Sequence, residues 1–385
     1  MKKRLIVLLM AAVMALAMFG IVACGNGQQD NSQPVSGGSG VGVAPAPADP
    51  APTEITVTDA YGRSVTVPAK VERVATVGSG VRFVVYAAGQ EGIDKLVAVT
   101  DADQKAMAVR PYTAMYNSQL AALPSTSNGN HLVETTVDTE AMLALQPDVI
   151  ISSRSAEECD QLQAAINIPV IGIKYQAQIF SDDVYTSILV VGQVLGTSEH
   201  AQACVDALKA WQTDLSARVA GKQSPTVYVG AISYKGSKGV TGTMGNSPVL
   251  KALGVTNVSD AAGQNGSFDT TLEQVGQWNA DYMFLDANNA TLVAKDYADN
   301  TAFFNQLKAV QDGNVYFVPP LNNNGTSIEL GVCSCYAVGK VLYPDAFADV
   351  DLDKQFDEIF LAMDGKTFNA QLKEAGLGFS PVTFN

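Results

Sequence analysis

The sequence predicts an α/β protein in which two lobes of alternating strands and helices are joined by one long helix. Three observations carry this. Short apolar runs alternate with helical stretches from residue 71 onward; a strand-free block with helical spacing, 181–221, interrupts them; and one helix-strand unit occurs on each side of that block. The unit reads "VDTEAMLALQPDVIIS" at Val137–Ser152 and "TTLEQVGQWNADYMFLD" at Thr270–Asp286. Glu140 stands eight residues before Asp148 and Glu273 eight before Asp281, and a run fit only for a buried strand follows each aspartate. The chain reads as internally duplicated.

The first lobe opens with "EITVTDAYGRSVTVP", whose alternation around Tyr-Gly-Arg predicts a β-hairpin. Strands follow at "RVATVG", "KLVAVT", "DVIISS" and "PVIGI", with helices at "VRFVVYAAG" (ending at Gly89), "DTEAMLALQ" and "AEECDQLQAAI". Apolar strands this short, separated by helices, predict a parallel sheet covered on both faces. The helical block breaks near Gly196-Thr197, where Thr197 or Ser198 can cap a second helix, "EHAQACVDALKAWQTDLSARVA". At 1.5 Å per residue its ~22 residues span roughly 33 Å, enough to bridge two lobes. The alternation then resumes through "TVYVGAI", "NSPVLKALG", "TTLEQVGQWN", "DYMFLD", "TAFFNQLKAV" and "VYFVPP", with helices to the end.

The N-terminus fixes the compartment. Lys2-Lys3-Arg4 precede the apolar run Leu5–Ala23, and Ile21-Val22-Ala23 lead into Cys24, the pattern of an export signal with a lipoprotein processing site. The run is also long enough for an uncleaved anchor, but a cysteine after Val-Ala and before Gly favours processing. Residues 1–23 are expected to be removed and Cys24 to become a lipidated N-terminus. Residues 24–53, with "APAPADPAP", lack large apolar side chains and form a flexible tether. The expected organisation is a first lobe over 54–180, connecting helices over 181–222 and a second lobe over 223–385, in an extracytoplasmic, membrane-anchored protein.

Charge and composition exclude several functions. The net charge is −14, or −17 once Lys2, Lys3 and Arg4 leave with the signal, so no basic stripe exists to bind nucleic acid. Cys159, Cys204, Cys333 and Cys335 lie in helical or closely spaced contexts that suit buried small side chains better than disulfides. Two histidines, His131 and His200, are too few for a zinc centre. No G-x-S-x-G elbow, Walker loop or complete G-x-G-x-x-G is present. A catalyst is not expected, and no cofactor is required.

The hairpin "ITVTDAYGRSVTVPAKVERVATVG", the unit "TEAMLALQPDVIIS", the helix "LGTSEHAQACVDALKAW", and "NSPVLKALGVTNVSD" leading to "TLEQVGQWNADYMFLD" together resemble the substrate-binding lipoproteins of ABC importers for iron-siderophore, haem and cobalamin. The resemblance covers nearly the whole mature chain. It implies two Rossmann-like lobes on a single backbone helix, with a ligand cleft between them; a monomer is expected, with a dimer left open. It also implies that Glu140 and Glu273 dock against arginines of a permease. Each glutamate lies near a helix start, where the dipole favours a carboxylate without any partner.

Ligands of open α/β sheets bind beyond the carboxyl ends of the strands, which selects loops. Those loops supply cations, Arg82, Arg110, Arg154, Lys235 and Lys238; aromatics, Tyr112, Tyr116, Tyr234 and Phe268; and amides, Asn130 and Asn323. Arginine or lysine with tyrosine suits the oxygens of an anionic ferric chelate, so a ferric siderophore is the expected cargo. Haem, held by Tyr112, Tyr116, Tyr234 or His131, and cobalamin, covered by Phe83, Tyr112, Tyr234 and Phe268, are the alternatives. A transporter-independent store or adhesion module is the reading from a different class, because fold does not fix function.

Overall fold

A computed structural model describes residues 52–128, 136–233, 235–323 and 325–384. The signal, Cys24 and nearly all of the tether, together with Asn130, His131 and Tyr234, lie outside the described residues. Among the described residues, no helix is long and apolar enough to cross a membrane.

The hairpin forms as expected, Glu54–Thr58 pairing antiparallel with Ser64–Pro68. Asp59 accepts the Tyr61 and Arg63 amides in its turn and the Gly172 amide from the sheet, so the turn pins the hairpin to the first lobe. That lobe is a four-stranded parallel sheet in the order Leu96–Ala98, Val74–Val77, Val149–Ser152, Val170–Gly172. The second lobe is a separate sheet, ordered Thr256–Asn257, Thr226–Gly230, Tyr282–Asp286, Val315–Val318, closed by an antiparallel edge strand Ser380–Pro381. In chain order both sheets run second-first-third-fourth.

The duplication extends to individual hydrogen bonds. Glu140 is the second residue of the helix Thr139–Leu145, and Glu273 the second of Leu272–Trp278. Both helices are side-chain capped, by Asp138 and Thr271, and both end in a left-handed residue, Gln146 and Asn279. Two residues later Asp148 accepts the Glu72 and Arg73 amides, and Asp281 accepts the Thr226 amide. In each lobe the aspartate therefore fixes the entry to the first strand of its sheet.

Alternation on the strands builds three cores. Val74, Val149 and Ile151 of the first sheet and Val227, Val229 and Phe284 of the second share one central cluster. Ala75, Val77 and Ile150 face an outer core with Met142, and Tyr228, Met283 and Leu285 face another with Val275. The two glutamate-bearing helices thus form the outer layers, each through one buried anchor.

The long helix Ser198–Val219 is the covalent bridge between the lobes. Near its N-terminus it meets Gly80–Lys95 of the first lobe; at its other end Asp214 accepts the Tyr336 hydroxyl, and Arg218 donates to the Ala346 carbonyl. The C-terminal helices form a brace to the first lobe: the Asp364 carbonyl accepts the Tyr116 hydroxyl at 2.7 Å and Lys366 donates to the Met115 carbonyl. Two expectations need amending. The helix after Ser79 does not stop at Gly89 but breaks there, at φ 53°, and continues to Lys95. Thr197 takes the N-cap position of the long helix, yet its hydroxyl donates to the Ala87 carbonyl at 2.9 Å instead of capping. Thr197→Val should therefore leave a buried carbonyl unpaired and cost about 1–2 kcal/mol, seen as a drop of a few degrees in melting temperature.

Candidate functional site

The carboxyl ends of both sheets face one cavity of about 550 Å³. The first lobe contributes Ala102, Met107 and Arg110 from the loop after its second strand, and Gln176 and Ala177 from the loop after its fourth. The second contributes Ser233, Lys235 and Ser237 after its first strand, Asn288 after its third, and Asn322, Asn323 and Thr326 after its fourth. Met244 and Ser267 complete the wall from a two-stranded ribbon, Gly242–Gly245 paired with Gly266–Asp269. Among the described residues, no aspartate or glutamate lines it.

Of the expected ligand residues, Arg110, Lys235 and Asn323 line this cavity. Arg110 is 3% exposed. Its Nη2 donates to the Met107 sulfur at 2.9 Å and its Nη1 lies 3.6 Å from Asp103, while Nε and Nη1 have no hydrogen-bond acceptor among the described residues. Asp103 itself accepts the Thr100 and Tyr112 hydroxyls, and burial pushes its carboxyl up.

The other described candidates lie elsewhere. Arg82 is wholly buried behind the cavity wall: Nη1 donates to the Thr326 carbonyl at 3.0 Å and to Tyr175, and Nη2 to Ser327 and the Asn323 carbonyl. It holds the 322–327 loop from the first lobe instead of meeting a ligand. Tyr112 and Tyr116 are buried, their hydroxyls donating to Asp103 and to the Asp364 carbonyl, so neither offers haem an axial oxygen. Arg154 pairs with Glu158 at 3.4 Å and Lys238 with Asp269 at 2.8 Å, both outside the lining. Phe268 alternates with Ser267 on the ribbon and also stands outside it. Phe83 is buried in the central cluster. Asn130 and Tyr234 lie outside the described residues.

The loop Gly78–Gly80 is likewise closed to a ligand. The Ser79 amide donates to Ser153, and Gly325, at φ 96°, packs its backbone against Tyr175 and Ser79, where any Cβ would run into the Tyr175 hydroxyl. What sequence reasoning missed is Gln176–Ala177, although the same carboxyl-end rule points to the loop after Val170–Gly172. Backbone strain marks the same region. Of the seven positive-φ residues other than glycine among the described residues, Gln146, Asn167 and Asn279 cap helices. Ala177, Ala231, Lys235 and Asn246 fall on the loops around the cavity, where strain of this kind gathers at functional sites.

Two buried carboxyl groups sit behind the wall. Glu329 accepts the Tyr86 hydroxyl in a short hydrogen bond, and neither oxygen of Asp364 has a partner among the described residues. Burial pushes both carboxyls up, most strongly Asp364, which also feels Glu329; the Arg82 charge opposes this. In the second lobe Asp286, 1% exposed, accepts the Asn288 amide on one oxygen, and burial pushes it up to about 7. Its unfolded counterpart titrates near pH 4, so the protonated folded form stabilises fully below that pH. The contribution falls as pH rises to about 7 and is constant above. Asp286→Asn should remove that decline: melting temperatures of variant and wild type should converge towards pH 5 and separate at pH 8, with the variant higher.

The sequence profile of the periplasmic binding protein family matches residues 85–321. The Fe(3+)-citrate-binding protein YfmC of Bacillus subtilis is 23% identical over 177 residues, 46% of this chain and 55% of that protein, so the match spans about half of that relative's length. The molybdate-binding protein MolA of Haemophilus influenzae is 22% identical over 332 residues, 79% of this chain and 89% of that protein. Its molybdate-bound structure superposes with a TM-score of 0.62 at 20% identity, over 81% of this chain and 98% of that one. A periplasmic solute binding protein of Veillonella parvula gives a TM-score of 0.67 at 18% identity, over 84% and 97% of the two chains. These structural likenesses establish a shared two-lobed binding-protein fold.

Proposed function

Because this chain belongs to the periplasmic binding protein family, we propose that it captures an anionic metal chelate, a ferric siderophore first among them, in the cleft between its lobes and delivers it to an ABC permease. The observation that carries this reading is the lining. The protein has 38 acidic against 24 basic side chains, yet among the described residues no acid reaches the cavity, while Arg110 and Lys235 do. Removing carboxylates from one surface of an acidic protein leaves a local positive field that selects anions. Arg110 adds N–H groups whose hydrogen-bonding capacity the protein does not use up. Arginine, lysine and amide donors suit the oxygens of a carboxylate, hydroxamate or catecholate complex. The volume of about 550 Å³ lies in the range for drug-sized ligands and exceeds what a bare tetrahedral oxyanion fills. One relative's name, with ferric citrate, agrees in kind; the other's, with molybdate, shares the anionic charge but names a smaller oxyanion.

On this reading residues 1–23 are cleaved, Cys24 carries the lipid, and Glu140 and Glu273 face the permease. The rod and its brace limit closure, so the permease senses small changes in the spacing of the two glutamates. Lys235 is exposed, so reversing its charge spares the core. Lys235→Glu should weaken ferric citrate by about tenfold or more, worth roughly 1.4 kcal/mol, in fluorescence or calorimetric titration. Unchanged affinity would remove the electrostatic basis of the reading.

A further inference from the structure

The main cleft does not end at Ala177. A second cavity of about 450 Å³ begins on the other side of that residue, and Ala177 lines both. The ribbon continues from one to the other: the paired residues Met244 and Ser267 face the first cavity, and the next pair, Gly245 and Gly266, the second. The neck is built. Ala177 is held at φ 55°, and its amide donates to the Thr326 hydroxyl across the lobes at 2.8 Å. A small side chain in a strained, pinned backbone stands where the two cavities meet.

The second cavity differs in chemistry from the first. Its polar lining is mainly carboxamide and hydroxyl, with Gln178, Gln212, Asn246, Asn265 and Ser216, and one ammonium, Lys251. Ile179, Phe180, Pro248 and Ala252 supply apolar edges, and again no acid among the described residues lines it. Gln212 and Ser216 come from the bridging helix itself. Such a wall suits a chain that carries amides or hydroxyls along a methylene backbone: the donors and acceptors meet the polar groups and the apolar edges meet the spacers.

We infer that the ligand site has two compartments, and that the second receives the amide- or hydroxyl-bearing arm of an elongated chelator whose metal-bearing head lies beside Arg110 and Lys235. This rests on the functional reading above and narrows its substrate class from any anionic chelate to chelates with a linear polar arm.

The test uses two iron(III) probes, the compact citrate complex and a linear chelate in which one citrate is extended at a terminal carboxyl, through an amide, by a free amide-bearing methylene chain, titrated against the mature protein. Ser216→Trp is the variant: Ser216 is exposed, and among the described residues its hydroxyl bonds only to the Gln212 carbonyl of its own helix, so the fold is retained while the compartment fills. A circular-dichroism melt checks this, with Lys251→Trp as an independent second obstruction. The expected result is that either variant weakens the linear chelate by about tenfold or more and leaves citrate within about twofold. Equal effects on both probes, no effect on either, or a wild-type protein that binds citrate but not the linear chelate would each overturn the second compartment alone. A wild-type protein that binds neither would remove the functional reading as well.

Discussion

A protein carrying both Glu140→Ala and Glu273→Ala is expected to bind a ferric chelate with unchanged affinity and to support no uptake. Each glutamate is exposed on the outer layer of its lobe, at the second position of a seven-residue helix. Neither lines the cleft, and neither anchors its helix, since the caps are Asp138 and Thr271 and the buried contacts Met142 and Val275. Truncation therefore spares the fold. At a docked interface a carboxylate lost opposite an arginine costs about 2–5 kcal/mol, so losing both lowers docking by more than about a thousandfold. Single variants retain part of the transport, because one ion pair survives. Transport of a radiolabelled iron chelate into cells, set beside titration of the purified variants, makes the measurement. A loss of chelate affinity would place these glutamates in the cleft instead, and full uptake by the double variant would place the permease contact elsewhere.

The second large effect is at Arg82. Its guanidinium reaches from the first lobe to the Thr326 and Asn323 carbonyls and Ser327 of the second, and lies 5.4 Å from the Tyr112 ring centroid. Arg82→Met removes these bonds and leaves buried carbonyls unpaired. It also removes the cation that opposes the rise of Glu329 and Asp364. Breaking a buried charged network in this way costs about 3–5 kcal/mol, a fall of roughly 10 °C in melting temperature. Because the same loop presents Asn322 and Asn323 to the cavity, chelate affinity falls too. Arg82→Lys recovers part of the stability but little of the loop geometry, since an ammonium cannot span three acceptors as a guanidinium does. A change of less than about 2 °C for Arg82→Met would show that the network is dispensable.

The architecture was legible in the sequence because strand and helix periods differ sharply in this chain. "DVIISS" and "DYMFLD" follow an aspartate whose role, fixing the entry to a neighbouring strand, turned out the same in both lobes. The small elements were not legible. The ribbon Gly242–Gly245 with Gly266–Asp269 contains four glycine or small-residue positions and no apolar alternation, and Ser380–Pro381 is two residues long.

Site residues were legible by loop but not by side chain. The rule that ligands bind at carboxyl ends found the loops of Arg110, Lys235 and Asn323. Periodicity cannot say whether an arginine near a strand end turns out to solvent or in to a core. Arg82 lies one turn into the helix Gly80–Lys95 and faces inward among Tyr86, Tyr112 and Tyr175, with acceptors that come from residues 323–327, more than two hundred positions away. Tyr112 and Tyr116 were lost for the same reason: Asp103 and the Asp364 carbonyl, which take their hydroxyls, are visible only in three dimensions.

Diffraction at the iron absorption edge, from crystals of the mature protein grown with ferric citrate, tests the central claim most directly. The account predicts one anomalous peak inside the cleft, bounded by Arg110, Lys235 and Asn322. Iron located on the outer surface, or a cleft without iron in protein saturated with the chelate, would contradict it.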